Sequence, residues 1–305
     1  MTRTHTLTRL LPLALTTVAA LLLAGCGGGG SGSIDAPPPS AQSTTMSGNV
    51  VKGPVSGATV KAFAVSGGTV GSQVSSATTD ANGAFTMSMG DYAGPVMLQM
   101  NGGSYTDEAT GALMTMGAGD MMTAVLPTVA AGAAVIGVAV TPLTAMAQAM
   151  AQHMAGGLTD ANIAAANAAV GNYFMVGDIL HTQPMNPLVA GSGSGATQAM
   201  MNYGMTLAAM SQYAKSAGMP VSSGFVTAMM NDASDGVIDG KTGSIPVTMG
   251  GGMMGGSMMQ PDAGRSGLTT AMTDFMNSSF NRSGVSATNM TSLMQQLVSS
   301  GGHMR

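Results

Sequence analysis

Methionine carries the most latent chemistry in this chain, at 32 of 305 residues. Thioethers are soft donors that select Cu(I). Met253, Met254, Met258 and Met259, with Met249 close by, lie among Gly250-Gly251-Gly252 and Gly255-Gly256. A glycine-flanked loop of that kind is able to bring about three sulfurs onto one ion. Exposed thioethers also cycle through the sulfoxide, which would make the same segment an oxidant sink. The competing reading is that methionine replaces leucine as adaptable core filler. Met146, Met150 and Met154 recur at helical spacing and, with Met205 and Met210, fit that reading. Filler is the expectation, with the loop cluster as the one place where packing explains little.

The remaining candidates are acidic. Asp232-Ala233-Ser234-Asp235-Gly236-Val237-Ile238-Asp239-Gly240 offers three carboxylates and two turn glycines. With Asp232 in the first place of a calcium loop, the third and fifth places fall on Ser234 and Gly236, which cannot supply the acids required. An Asp/Gly turn at the end of a helix is therefore expected. Asp107 and Glu108 follow Tyr105 and form an adjacent acid pair, suited to a saccharide or cation at a loop edge. The favoured alternative is that the pair caps a strand end and contacts the helical part. Gly240-Lys241-Thr242 lacks the earlier glycine of a phosphate loop, because position 235 is Asp235. Of the four histidines, His5 lies in the N-terminal segment expected to be removed and His153, His181 and His303 are scattered, and GSGSG at residues 191–195 has Gly193 where a nucleophile would stand.

Composition excludes more than it suggests. Charged residues are 7% of the chain, against about 25% in an ordinary domain. Glu108 is its one glutamate and there is no tryptophan. A Glu–Glu glycosidase, an HExxH metalloprotease and a polycationic nucleic-acid binder are excluded or nearly so. Few acids and histidines leave little for acid–base or nucleophilic catalysis, so no enzyme is expected. The apolar share of 45% is ample for a core, and the length corresponds to about two domains.

At the N-terminus, Arg3 and Arg9 precede an apolar run from Leu10 to Leu23, and Leu23-Ala24-Gly25-Cys26 follows. A basic start, a short apolar stretch and small residues at the exit make a secretory signal rather than a spanning helix. Leu-Ala-Gly-Cys resembles the lipobox of bacterial lipoproteins. That resemblance implies cleavage after residue 25, a diacylglycerol thioether on Cys26 and acylation of the new amine. Several acyl chains hold a protein stably on a membrane where one is marginal. Gly27, rather than Asp, follows the cysteine, which in such lipoproteins is compatible with the outer membrane. Loss of residues 1–25 leaves 7 basic against 13 acidic residues, a net charge of −6 with His neutral. That balance gives no electrostatic hold on nucleic acid. With the thiol lipidated, no disulfide or thiolate metal site is expected.

The elements that must position these groups follow. Residues 26–45 form a Gly/Ser/Pro tether after the cysteine. Over residues 46–127, short β-rich runs (ATVKAFAV, GAFTMSM, GPVMLQM) alternate with turns at Gly53-Pro54, Gly67-Gly68, Asp80–Gly83 and Gly102-Gly103. In ATVKAFAV, Val60 and Ala62 share one face and Lys61 and Phe63 the other. Met121 to Leu126 extends the sheet, which is expected to stop at Pro127. Residues 128–305 read as helical: Thr141-Pro142 opens a helix that stops at Gly156-Gly157, and Thr159-Asp160 opens a second. Further helices are expected near residues 198–216, 222–231, 266–279 and 286–299. The Met/Gly-rich segment 243–266 has no period and is expected to be a mobile loop.

Gly48-x-Val50-x-x-Gly53-Pro54-x-x-Gly57-Ala58-x-Val60, with Thr79-Asp80-x-x-Gly83-x-Phe85, resembles the carboxypeptidase regulatory-like, or transthyretin-like, β-sandwich. The resemblance covers about residues 46–106. It implies an accessory module of the carbohydrate-binding-like kind with no catalytic residues. Gly102–Gly111 and Val140–Thr144 are similar to segments of uncharacterised proteobacterial lipoproteins. The expected class is α+β, an antiparallel β-sandwich followed by an all-α bundle. The expected role is a non-catalytic binding or scaffolding lipoprotein of the envelope, with a protein or saccharide partner. A carbohydrate-binding module and a copper or oxidant buffer are the alternatives.

Overall fold

The computed structural model describes residues 42–250 and 256–305. Nine strands come first: β1 (Thr45–Val50), β2 (Thr59–Ser66), β3 (Thr69–Thr78), β4 (Ala84–Ser88), β5 (Gly94–Asn101), β6 (Ser104–Thr106), β7 (Leu113–Thr115), β8 (Met121–Val129) and β9 (Ala134–Val140). Six helices follow: α1 (Pro142–His153), α2 (Asp160–Tyr173), α3 (Gln198–Ser216), α4 (Ser223–Asp232), α5 (Ser266–Met276) and α6 (Ala287–Ser299). The chain is of the α+β class. One sheet is antiparallel, in the order β3-β2-β5-β8, and β6 and β7 form a separate antiparallel pair. A second sheet runs β4-β1-β9, with β1 antiparallel to β4 and parallel to β9.

The two larger sheets share one core. Met46 and Val50 of β1, Phe85 and Met87 of β4, and Val138 and Val140 of β9 meet Val60 and Ala62 of β2, Leu98 and Met100 of β5, and Met122 and Leu126 of β8. Val60 and Ala62 thus face that core as their alternation requires, while Phe63 points the other way, toward the helices. Strands β5 and β8 of the four-stranded sheet are covered on both faces, whereas β3 is largely exposed. Val65, Met97 and Val125 leave the sheet's far side to pack with Leu143, Met146, Ile163 and Val170 of α1 and α2. Double coverage explains why β5 and β8 read as continuous apolar runs rather than alternating ones.

Helix boundaries follow local chemistry. Thr141 caps α1: its hydroxyl accepts from Thr144 N–H, the Thr144 side chain answers to the Thr141 N–H, and Pro142 occupies the first turn. Thr159 and Thr197 cap α2 and α3 more simply, their hydroxyls accepting from the N–H groups of Asn162 and Met200.

Three expectations need correction. Pro127 does not end the sheet. β8 continues to Val129, because its pairing with β5 slips between Gly94 and Val96 and leaves proline's missing donor without a ladder partner to fail. The segment after it is not helical. Ala134–Val140 lies parallel to β1, and pairing plus burial override an alanine-rich composition. Gly48 makes that pairing possible, since a Cβ there would fall 1.9 Å from the carbonyl oxygen of Val138. The 243–266 segment is not structureless either, in its described residues. Two short pairs form, β10 (Lys241–Thr242) with β11 (Ile245–Pro246) and β12 (Thr248–Met249) with β13 (Ser257–Met258). Val247, Met249 and Met259 anchor them in the helical core.

Candidate functional site

The densest polar chemistry lies where the β6–β7 hairpin meets α3 and α4. Asp107 opens the turn between β6 and β7. Its Oδ1 accepts from the N–H groups of Ala109 and Thr110, both at 3.1 Å, and from the Thr110 hydroxyl at 3.0 Å. Those bonds hold the turn closed and aim Glu108 inward. Lys52 arrives from the turn after β1, where Gly53 adopts a left-handed φ of 63° and packs so closely that a Cβ would lie 2.5 Å from the Thr106 carbonyl oxygen. The lysine side chain is fully buried, at 0% exposure.

Lys52 Nζ lies 2.9 Å from Glu108 Oε2. Ser211, on α3, joins both: its hydroxyl donates to Glu108 Oε2 at 2.5 Å and accepts from Lys52 Nζ. The Tyr105 ring lies 5.3 Å from the ammonium. Burial alone pulls the Lys52 pKa down. The Glu108 carboxylate, helped by Tyr105 and Asp107, outweighs that and holds the ammonium above the ordinary lysine range.

The same pattern repeats along the seam. Ser222 donates to Asp107 Oδ2 at 2.6 Å and receives the Tyr105 hydroxyl at 2.9 Å. Ser223 and Thr227 of α4 donate to the two oxygens of Asp120 at 2.5 and 2.9 Å. Lys215 of α3 donates to the Ala109 carbonyl at 2.9 Å. Acids on the strand side thus meet hydroxyls on the helix side. A cavity of about 190 Å³ opens beside the buried pair, lined by Glu108, Val51, Pro54, Gln183, Asn186 and Leu207 among others.

The acidic turn at 232–240 is built differently. Asp232 Oδ1 accepts from the N–H groups of Asp239, Gly240 and Lys241 at 3.1, 2.8 and 3.0 Å. Asp235 accepts from Val237 and Gly243. Carboxylates turned onto backbone amides close the turn that follows α4. Burial pushes the Asp232 pKa up to about 6 despite those three bonds. Among the described residues there is no group of three or more His, Cys, Asp or Glu placed to hold a metal.

Cys26, Met253 and Met254 lie outside the described residues. Met258 is 62% exposed, while its neighbour Met259 is 4% exposed and packed in the helical core. The two thioethers that are described therefore point into different surroundings. His181 pairs with Asp178 at 2.9 Å on the surface, and His153 and His303 stand apart from it. The acid pair does contact the helices, as favoured above, and both of its members are buried. Lys52, Ser211 and Ser222 had no signal in the sequence beyond one hint: a lysine directly after an apolar strand, in a chain with very few charges.

No family model and no curated protein matches this chain. Among solved structures, a 9R-lipoxygenase from Cyanothece aligns with a TM-score of 0.21 at 12% identity, over 37% of this chain and 18% of that one. The chain spans under a fifth of that protein, and a likeness this slight says nothing about fold or activity.

Proposed function

We propose that this chain is a bacterial envelope lipoprotein, anchored through acyl groups on Cys26, whose folded body is a non-catalytic binding or scaffolding module. Residues 45–140 serve as a β-sandwich of the carboxypeptidase regulatory-like kind, and the helices after them as a bundle docked on it. One observation carries the scaffold reading. The buried ionisable groups Lys52, Glu108 and Asp107 are spent on joining strands to α3 and α4, in bonds to Ser211 and Ser222. Groups committed in that way stiffen a body and are withheld from substrate. Among the described residues no helix is long and apolar enough to cross a membrane.

Detergent phase partitioning tests the anchor. The native chain should enter the detergent phase, and Cys26→Ser should yield unprocessed precursor or an aqueous product. A Ser variant that still partitions like the native protein removes the lipoprotein reading.

A second reading, a copper or oxidant buffer, has one observation in its favour. Met219 and Met249 line a cavity of about 430 Å³ together with Asp120 and Val221. Titration of the full chain with Cu(I) decides it, because core filler gives no saturable binding.

A further inference from the structure

Three features of the molecule stand out: the methionine-lined cavity, the buried Asp232, and the contact between Lys52 and Glu108. The last carries the most. Lys52 and Glu108 are 56 positions apart in sequence, both are buried, and Nζ stands 2.9 Å from a carboxylate oxygen. Ser211 presents one hydroxyl to both groups.

We propose that Lys52 and Glu108 become joined by an intramolecular amide bond between Nζ and Cδ. The resting pair is an ammonium and a carboxylate. One proton passes from Nζ through the Ser211 hydroxyl to Oε2, leaving an amine beside a neutral carboxylic acid. The amine lone pair attacks Cδ, the carbonyl electrons move onto Oε1, and a tetrahedral centre forms. A second proton follows the same route from Nζ to Oε2. The Cδ–Oε2 bond then breaks and water departs as the Oε1 carbonyl re-forms. An ammonium and a carboxylate are thereby converted into one amide and one water, with no oxidant, reductant or cofactor.

Three physical circumstances favour the step. Fixed contact replaces a bimolecular encounter, and well-oriented intramolecular reactions reach effective molarities of about 10⁵ M or more. Forming the amide removes two buried charges, whose desolvation is costly. The cavity of about 190 Å³ lined by Glu108 gives the released water a place to go. The bond would tie the turn after β1 to the β6–β7 turn, and so brace the face on which α3 sits.

The test is mass spectrometry on the full-length chain purified in its folded state. The intact mass of native protein and of Lys52→Met should differ from the sequence difference by one water, whatever acyl groups both carry. A proteolytic digest should yield a branched peptide holding Lys52 and Glu108 together, short of one water. Ser211→Ala should fold and accumulate that peptide more slowly. Glu108→Gln should form no branched peptide, because no carboxylate is left to take the first proton from Nζ. If Lys52→Met does not fold, the digest of native protein decides alone. Lys52 and Glu108 recovered only on separate peptides after prolonged incubation overturns the proposal, and so does a branch from Lys52 to Asp107.

Discussion

Ser222 stands at the N-cap of α4, yet its hydroxyl donates to Asp107 Oδ2, 2.6 Å away, and makes no capping bond to its own helix. The helix gives up a cap so that a strand-side acid is satisfied. Tyr105 completes the arrangement by donating to the same hydroxyl. Truncating Ser222 therefore strands two buried groups, not one.

Ser222→Ala should lower stability by about 1–3 kcal/mol, the usual cost of leaving buried partners unpaired. Urea unfolding measures it, with an unchanged slope indicating an unchanged fold. In a Tyr105→Phe background the same substitution should cost less, because one of the two orphans is already gone. Equal costs in both backgrounds would mean that Tyr105 and Ser222 are not coupled.

The junction of β1 and β9 depends on Gly48. A methyl there meets the Val138 carbonyl at 1.9 Å, backbone against backbone, so neither side yields without breaking the ladder. Gly48→Ala should cost about 1–3 kcal/mol or more. Gly195 has open space around its Cβ position and no left-handed φ, so Gly195→Ala should stay within about 0.5 kcal/mol of the native protein. Melting temperatures of the two variants side by side check the contrast.

Asp232 predicts a pH dependence of defined sign. Its carboxyl is ordinary in the unfolded chain, at 3.8, and pushed up to about 6 by burial in the folded one. Between those values the folded state holds more protons than the unfolded state. Stability from this group is therefore greatest at low pH and falls as pH rises toward 6, after which it is level. The whole effect is at most about 3 kcal/mol. Asp232→Asn removes the titration, so the difference in unfolding free energy between native and variant should change across pH 4–6 and be flat above. A difference that is flat throughout would show that the carboxyl titrates alike in both states.

Much of this fold could be read from the chain, for local reasons. Thr141-Pro142, Thr159-Asp160 and the glycines at 156–157 are short-range signals: α1 begins at Pro142 and stops shortly before Gly156, and α2 begins at Asp160. Gly53, Gly67 and Gly83 mark turns because only a left-handed φ closes them. β9 escaped because an alanine-rich run is equally at home in a helix, and its strand state is decided by β1, some 90 positions away. The seam escaped for the same reason. Asp107 and Glu108 are visible as a pair, but their worth comes from Lys52, Ser211 and Ser222, which the fold delivers from three other elements.

Met258 and Met259 allow the methionine question to be divided between neighbours. Both belong to the Gly-flanked cluster that spacing singles out for Cu(I), yet Met259 packs with Val247 and Met249 in the helical core while Met258 faces solvent. Filler and ligand then predict opposite patterns. As filler, Met259→Ala should cost about 2–5 kcal/mol by removing buried volume, and Met258→Ala should fall within about 0.5 kcal/mol of native. Met259→Leu should restore most of the loss, since the two side chains have similar volume. As a ligand, Met258 should matter to Cu(I) affinity and not to melting, and leucine should not replace it. Thermal melts and a Cu(I) titration of the three variants separate the outcomes. Large destabilisation by Met258→Ala would overturn the exposed placement, and saturable Cu(I) binding lost in Met258→Ala alone would overturn filler as the role of this loop.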